Sequence, residues 1–345
     1  MTKILKFNRR SVLAGMGVLS AATMVPTFAF SKQLLRLSTL GPGTSPNLVM
    51  TTFANVVNNA LDDYEIQVNA TGAATRHVLE VAKGKTTFCM SSPTIHFLMR
   101  KRLAMYAKIE TAPELVKNLR TVFNFPMGVY HIAVFEKSGI KQIADAKGKR
   151  VFLGPPGGAA FATMKRLFMA VSGLEEGKDY QAVKLSWDAA SAAFQDGNID
   201  VYCNPTNAPS PALSQITLTN SIRFLGIPKD KLENKDILAL TKRPGFSLAN
   251  LSKTAYGDNQ ANDEDVITLG VVVSVVTHKD ADQKMIYNMT KVFFETLVTL
   301  QKNAPWLKGI SLKGAIEDIN LPLHVGALEA LEELGLFIPL AVKSL

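Results

Sequence analysis

A glycine-proline pattern occurs twice in the chain, and so does the spacing that follows it. The first copy is Leu40-Gly41-Pro42-Gly43-Thr44-Ser45-Pro46 and the second is Leu153-Gly154-Pro155-Pro156-Gly157-Gly158-Ala159. Each follows a short β-like run, Leu34 to Thr39 and Arg150 to Phe152, and each leads into a helix-like stretch, Asn47 to Leu61 and Phe161 to Ser172. Cys89 lies 49 positions beyond Leu40, inside Phe88-Cys89-Met90-Ser91-Ser92-Pro93-Thr94. Cys203 lies 50 positions beyond Leu153, inside Tyr202-Cys203-Asn204-Pro205-Thr206. A chain that repeats a strand, a glycine loop, a helix and a second strand end at one spacing predicts two similar α/β halves. Two such halves facing each other enclose a cleft.

The remaining segments fit that plan. In the first half, Val49, Phe53, Val56, Val57 and Leu61 recur at helical spacing. Glu65 to Asn69 reads as a strand, Thr71 to Thr75 as a small-residue turn, Arg76 to Lys83 as a helix ended by Gly84, and Thr86 to Met90 as a strand. The second half repeats these with a strand at Arg150 to Leu153, a helix at Phe161 to Ser172, a strand at Gln181 to Ser186, a helix from Trp187 to Gly197 and a strand at Ile199 to Cys203. Leu119 to Phe125 and Tyr130 to Phe135 are predicted as two strands separated by Pro126-Met127-Gly128, where the chain first crosses between halves. Val266 to Thr277 is the predicted return crossing, followed by amphipathic helices at Met285 to Leu300 and Val325 to Leu334. Alternating strands and helices with short links predict parallel sheets with right-handed crossovers. The expected fold is α/β with two lobes, each a mostly parallel sheet flanked by helices, and a ligand cleft between them. Lobe one is placed at 32–130 plus 262–345, and lobe two at 131–261.

At 345 residues, 47% hydrophobic and 19% charged, the chain has a globular composition and enough length for two cores. The formal charge of +9 includes Lys3, Lys6, Arg9 and Arg10, and no acid precedes Asp62. That basic start belongs to Asn8-Arg9-Arg10-Ser11-Val12-Leu13, a twin-arginine pattern followed by a small, apolar stretch to Val25 and by Pro26-Thr27-Phe28-Ala29. Residues 1–31 therefore read as an export signal, cleaved near Ala29 to Ser31, with a periplasmic product expected. The apolar core is shorter than the roughly 20 residues a spanning helix needs. The pattern lacks the usual Phe and Lys of a Tat signal, so Tat and Sec export both stay open. The remaining charge is spread thinly, which argues against nucleic acid as a partner. The densest run, Arg100-Lys101-Arg102, reads as a solvated helix end. Cys89 and Cys203 hold equivalent places in the two halves and read as small buried side chains, with the disulfide question open.

No catalytic pattern stands out. There is no G-x-S-x-G elbow, no phosphate-binding P-loop and no G-x-G-x-x-G, and the five histidines have no zinc-ligand spacing. No enzyme activity, cofactor or metal is expected. His131 falls on a crossing strand and is a candidate cleft residue, although a lone histidine there is more often structural. What recurs instead is glycine and hydroxyl chemistry at strand ends leading into helices, where open α/β sheets bind ligands. The candidate ligand-binding residues are Gly41, Gly43, Thr44, Ser45 and Asn47 in the first loop, Thr71, Gly72 and Thr75 in the second, and Ser91 and Ser92 in the third. The second half adds Gly154, Pro156, Gly157 and Gly158, Trp187, and Asn204, Thr206 and Asn207. Any one loop is explained by strand termination alone. Five at equivalent places favour a cleft whose backbone N–H groups bind an anion. Trp187 serves equally as cleft wall or core, and Asp188 as a helix cap.

Several segments, taken in order, resemble the TAXI family of solute-binding proteins that serve TRAP transporters. They are Asp145-Ala146-Lys147-Gly148-Lys149-Arg150-Val151 with the Gly154 to Ala159 loop, Phe194-Gln195-Asp196-Gly197-Asn198-Ile199-Asp200, Ala208-Pro209-Ser210-Pro211-Ala212-Leu213, Ser221-Ile222-Arg223-Phe224-Leu225, and Leu321-Pro322-Leu323-His324-Val325-Gly326-Ala327. The resemblance implies a type II periplasmic-binding-protein fold, most often monomeric, closing on a small organic acid and presenting it to a permease. A sensor kinase is the alternative recipient. The first loop departs from the family's usual G-S-T-G-G-T-Y, reading Gly41-Pro42-Gly43-Thr44-Ser45-Pro46-Asn47, and Ala73-Ala74 stands where Gly-Ser is common.

Overall fold

The computed structural model describes residues 32–304 and 307–343; the predicted export signal lies outside the described residues. The first strand, β1 (Gln33–Ser38), leads into α1 (Ser45–Ala60), β2 (Tyr64–Asn69), α2 (Ala74–Ala82), β3 (Phe88–Ser91), α3 (Pro93–Lys101) and a short α4 (Ala112–Leu115). A long strand, β4 (Leu119–Phe135), carries the chain onward to β5 (Arg150–Phe152), α5 (Ala159–Ser172), β6 (Gln181–Ala182), α6 (Trp187–Gln195) and β7 (Val201–Thr206). Next come α7 (Pro211–Thr217), β8 (Ile222–Phe224), α8 (Lys235–Thr241) and β9 (Phe246–Leu251). A second long strand, β10 (Val266–His278), returns the chain to α9 (Gln283–Asn303), α10 (Val325–Glu333) and α11 (Leu340–Lys343).

The strands run β2-β1-β3-β10-β4-β7-β5-β6, with β8 added on β4 and β9 on β10. The outer pairs β1 with β2 and β3, and β5 with β6 and β7, are parallel, and every pair involving β4 or β10 is antiparallel. The two long strands therefore serve both halves. β10 pairs with β3 through Ser274 to Thr277 and with β9 through Val266 to Val271. β4 pairs with β10 up to Val129, and from Val129 onward with β7. The repeat seen in the sequence is thus a repeat of β-α-β units, one set on each side of a shared pair of crossing strands.

Each half has its own aromatic centre. In the first, Phe123 of β4 stacks on Phe293 of α9 at 5.0 Å, and Phe53 of α1 meets Phe293 edge-on at 5.5 Å. In the second, Phe135, Phe194, Tyr202 and Phe152 form a stacked series at 4.7 to 5.6 Å. Cys89 and Cys203 are buried and free, one on β3 and one on β7. α3 ends at Lys101, and Arg102 caps it in a left-handed conformation with φ of 51°.

Two local expectations need correction. The segments 119–125 and 130–135 form one strand, because Pro126-Met127-Gly128 is a bulge and not a turn. Val271 pairs with Gly128 and Val272 with Pro126, so Met127 is the extra residue. A bulge accommodates a proline that has no N–H for the ladder. Asn204, Pro205 and Thr206, expected in a loop after a strand, belong to β7, where they pair with His131, Tyr130 and Val129.

Gly128 has no room for a side chain. Its φ is +110°, and a Cβ there would lie 2.1 Å from the Thr206 carbonyl oxygen. We expect Gly128→Ala to lose about 3 kcal/mol or more, or to abolish folding, since it combines strain with a backbone clash. Gly139→Ala, at φ of +73° with open space around it, is expected to cost only about 1–2 kcal/mol. Urea denaturation of the two variants side by side checks the contrast; equal costs would remove the constraint.

Candidate functional site

The C-terminal ends of the parallel strands and the N-termini of the helices that follow them converge between the two halves. They enclose a cavity of about 60 Å³. One wall comes from Leu40, Ala73, Ala74, Met90, Ser92, Thr94 and Ile95. The other comes from Pro155, Gly158, Ala159, Ala160, Trp187, Pro205 and Phe246, and the crossing strands supply Met127, Tyr130, Val271 and Val273. Among the described residues, no Asp, Glu, Lys, Arg or His lines it. At roughly 15 Å³ per enclosed water, the volume holds a handful of heavy atoms.

Two helix starts face this space without side-chain caps. α2 begins after Ala73 and α5 after Gly158, and neither capping residue offers a side-chain oxygen to the first-turn N–H groups. Ala73, Ala74, Gly158, Ala159 and Ala160 all line the cavity. Small residues at these starts leave the backbone N–H groups reachable, and the helix dipole makes both ends partly positive. α1 and α3 differ. Their starts are closed by Thr44, whose Oγ1 accepts from the Asn47 N–H at 3.4 Å, and by Ser92, whose Oγ accepts from the Ile95 N–H at 3.2 Å.

The halves are drawn together over the cavity by hydrogen bonds between them. Thr75 Oγ1 donates to the Gly157 carbonyl at 2.9 Å, and Thr94 Oγ1 donates to the Pro244 carbonyl at 2.7 Å. Within the first half, Ser45 Oγ donates to the carbonyl of Met127, the bulged residue on the crossing strand.

The residues singled out from sequence fall into three groups. Ser92, Gly158 and Trp187 line the cavity. Trp187 is also core, since its ring meets Phe152 edge-on at 5.5 Å. A second group holds the surrounding backbone. Thr75, Gly157 and Ser45 make the contacts just described. Thr44 Oγ1 also donates to the Gly41 carbonyl at 2.9 Å, and Asn47 Nδ2 donates to the Leu40 carbonyl at 3.1 Å. Gly43 (φ +83°), Gly72 (φ +81°) and Gly154 (φ +119°) take left-handed backbone conformations. The third group lies beside the cavity. Thr71 Oγ1 donates to Asn69 Oδ1 at 2.8 Å, Ser91 is fully buried, and Pro156 adjoins the lining residue Pro155. Asn204 Nδ2 donates to Tyr202 Oη at 3.0 Å, Thr206 is buried on β7, and Asn207 follows it half-buried. The lining residues not singled out as ligand-binding are mainly apolar: Leu40, Met90, Ile95, Met127, Tyr130, Phe246, Val271 and Val273. Leu40 and Met90 lie in the repeated motif segments, and Met127 lies beside the bulge proline.

Asp188 stands near this space, on the first turn of α6. A Cβ on Gly41 would come within 3.7 Å of its Oδ1. The Ser186 hydroxyl and the backbone N–H groups of Asp188 and Ala189 hold its carboxyl below the usual range. It is a helix-start carboxylate.

His131 is a structural residue. Its Nδ1 donates to the Val129 carbonyl at 3.0 Å, and its Nε2 accepts from Tyr256 Oη at 2.8 Å. Tyr256 Oη in turn accepts from the Ser210 N–H at 2.9 Å. Burial pushes the His131 pKa down to about 4, and burial likewise pushes His96 down to about 3.

These features define a two-lobed α/β binding-protein fold, with an interlobe cavity at the strand ends. A model of the NMT1-like family matches residues 42–335, and the chain belongs to that family. It is also similar to several solved structures. One is the periplasmic aliphatic sulphonate binding protein SsuA from Escherichia coli, at 17% identity over 87% of this chain and 79% of that one, with a TM-score of 0.44. A second is a TRAP periplasmic solute binding protein from Desulfovibrio salexigens in complex with diglycerolphosphate, at 14% identity over 88% and 85%, with a TM-score of 0.45. A third is a TRAP periplasmic solute binding protein from Ralstonia eutropha with bound (S)-2-acetolactate, at 12% identity over 88% and 91%, with a TM-score of 0.43. Likeness at this level transfers neither ligand nor partner. No helix among the described residues is long and apolar enough to cross a membrane.

Buried neutral histidines make stability depend on pH. The folded pKa values of His131 and His96 lie below the usual 6.5, so the unfolded chain binds more protons between those limits. Their contribution is complete above about pH 6.5 and is lost as pH falls toward the folded values. We expect the unfolding free energy to fall from pH 6.5 to 5 by up to about 1.4 kcal/mol per pH unit for each such histidine. His131→Gln, which keeps a donor and an acceptor, is expected to flatten that slope. Urea titrations at several pH values measure it; an unchanged slope would show that His131 is not held neutral.

Proposed function

We propose that this protein is a periplasmic solute-binding protein of the TAXI type. It closes its two lobes, 32–130 plus 262–345 and 131–261, on a small carboxylate or amino-acid-like compound and delivers it to a TRAP-type permease. The observation that carries the reading is the pair of uncapped helix starts, α2 and α5, one from each half, opening into a single apolar cavity. A carboxylate placed between them accepts N–H groups from both halves at once, so the ligand itself bridges the lobes. With no cationic side chain in the lining, the anion is met by backbone dipoles alone. The apolar wall of Leu40, Met90, Met127 and Phe246 receives a short hydrocarbon body. The cavity volume favours a compact acid over a long-chain or sugar ligand. Membership of the NMT1-like family accords with a binding role, and no catalytic step is assigned.

The experiment is a thermal-shift panel of short carboxylic acids, α-amino acids and their neutral amides on the mature chain. At about 100-fold excess over Kd, binding adds about 2.7 kcal/mol, so we expect a Tm rise of roughly 5 °C or more for the right acid. Ala159→Asp places a like charge at the α5 start and is expected to abolish that rise with the fold intact. Stabilisation by amides and acids alike, or insensitivity to Ala159→Asp, would overturn the anion assignment. Stabilisation by nothing in a broad panel would overturn the binding role.

A further inference from the structure

Two threonines hold equivalent places in the first half. Thr75 is the second residue of α2, and Thr94 is the second residue of α3. Both are buried, at 6% and 3% exposure. A hydroxyl at the start of a helix commonly serves that helix, by accepting from its free N–H groups. These two donate outward, each to a backbone carbonyl of the second half. Thr75 Oγ1 reaches Gly157 at 2.9 Å, and Thr94 Oγ1 reaches Pro244 at 2.7 Å. The partners are 82 and 150 positions apart in the chain.

Both ends of each bond are held in place. Tyr106, itself buried, donates from Oη to the Thr75 carbonyl at 2.7 Å. The start of α3 is capped by Ser92, and Asn320 Nδ2 donates to the Pro93 carbonyl at 2.7 Å. In the second half, the Gly158 N–H donates to the Pro155 carbonyl at 3.0 Å, which closes the turn that presents Gly157. The Val272 N–H donates to the Gly245 carbonyl at 2.9 Å, which fixes the residue after Pro244 to β10. Gly245 also passes close to α3: a Cβ on it would lie 3.1 Å from Pro93 Cδ. Groups that are already ordered lose little freedom when they bond, so more of the bond goes into holding the halves together.

The two bonds meet the cavity at separate places. Thr75 follows the lining residues Ala73 and Ala74, and Gly157 precedes Gly158 and Ala159 of the opposite wall. Thr94 is part of the lining, and Pro244 lies two positions before Phe246, which faces it. The walls are thus tied once between the starts of α2 and α5, and once between the start of α3 and the start of β9.

We infer that Thr75 and Thr94 are positioning residues: their hydroxyls hold the two walls in register and set how long the cavity stays enclosed. Their donated hydrogens go to the opposite wall, so they govern a bound solute through the shape and lifetime of the enclosure. The tie between the walls rests on the two hydrogen bonds; its bearing on solute release rests on the solute-binding reading above.

Hydrogen–deuterium exchange of the ligand-free mature chain, read by mass spectrometry, tests the tie. Valine keeps the branched shape of threonine and removes the donor, whereas serine keeps the donor. We expect Thr75→Val to speed exchange about fivefold in 73–78 and also in 155–162 on the opposite wall. Thr94→Val is expected to do the same in 92–97 and in 243–248. Thr75→Ser and Thr94→Ser are expected to stay near wild type. Faster exchange confined to the threonine's own helix, serine variants as fast as valine ones, or wild-type rates in the valine variants would overturn the inference. Circular dichroism melts confirm folding, and if one valine variant does not fold, the other decides alone. With an acid found in the thermal-shift panel, stopped flow is expected to show dissociation about fivefold faster in each valine variant, with association nearly unchanged. Unchanged dissociation would overturn the role in release. If no acid binds, the solute-binding reading fails, and the exchange rates still decide the tie.

Discussion

The architecture hangs on a β-bulge. β4 and β10 are the strands that both halves share, and the extra residue Met127 sits where β4 leaves one neighbour set for the other. That one insertion has several consequences. It lets a proline sit in a strand with partners on both sides. It leaves the Met127 carbonyl to the Ser45 hydroxyl, which ties the start of α1 to the crossing strand. It turns the Met127 side chain to the cavity. It also requires Gly128, whose missing Cβ is where the Thr206 carbonyl passes.

Much of the plan was legible because repetition is legible. Strand, glycine loop, helix and strand recur at one spacing, and the structure places these units on either side of the shared strands. The site was harder to read, for a physical reason. The conspicuous residues of the first loop, Thr44, Ser45 and Asn47, have their hydrogen bonds committed to neighbouring backbone. A hydroxyl that caps a helix has one fewer valence for a ligand, and sequence does not distinguish the two uses. The actual wall is built from Leu40, Met90, Ile95, Met127, Phe246 and Val271, which in a linear chain look like any core residues. Asn204 to Thr206 were misassigned because Asn-Pro-Thr is turn chemistry by composition. Pairing with β4 overrides it, and His131 and Tyr130 fix the register there.

Of the segments that carry the family resemblance, the Gly154 to Ala159 loop lines the cavity through Pro155, Gly158 and Ala159, and two others brace the second half. Asp145 accepts from the backbone N–H groups of Lys141 and Gln142 at 2.9 and 3.1 Å, closing a short turn before β5. Asp200 accepts from the Arg150 backbone at 2.7 Å and pairs with its guanidinium at 2.8 Å, joining the start of β5 to the start of β7. Such motifs report a shared scaffold. They leave the ligand free to differ, because most of the lining, Leu40, Met90, Met127 and Phe246 included, comes from residues outside them.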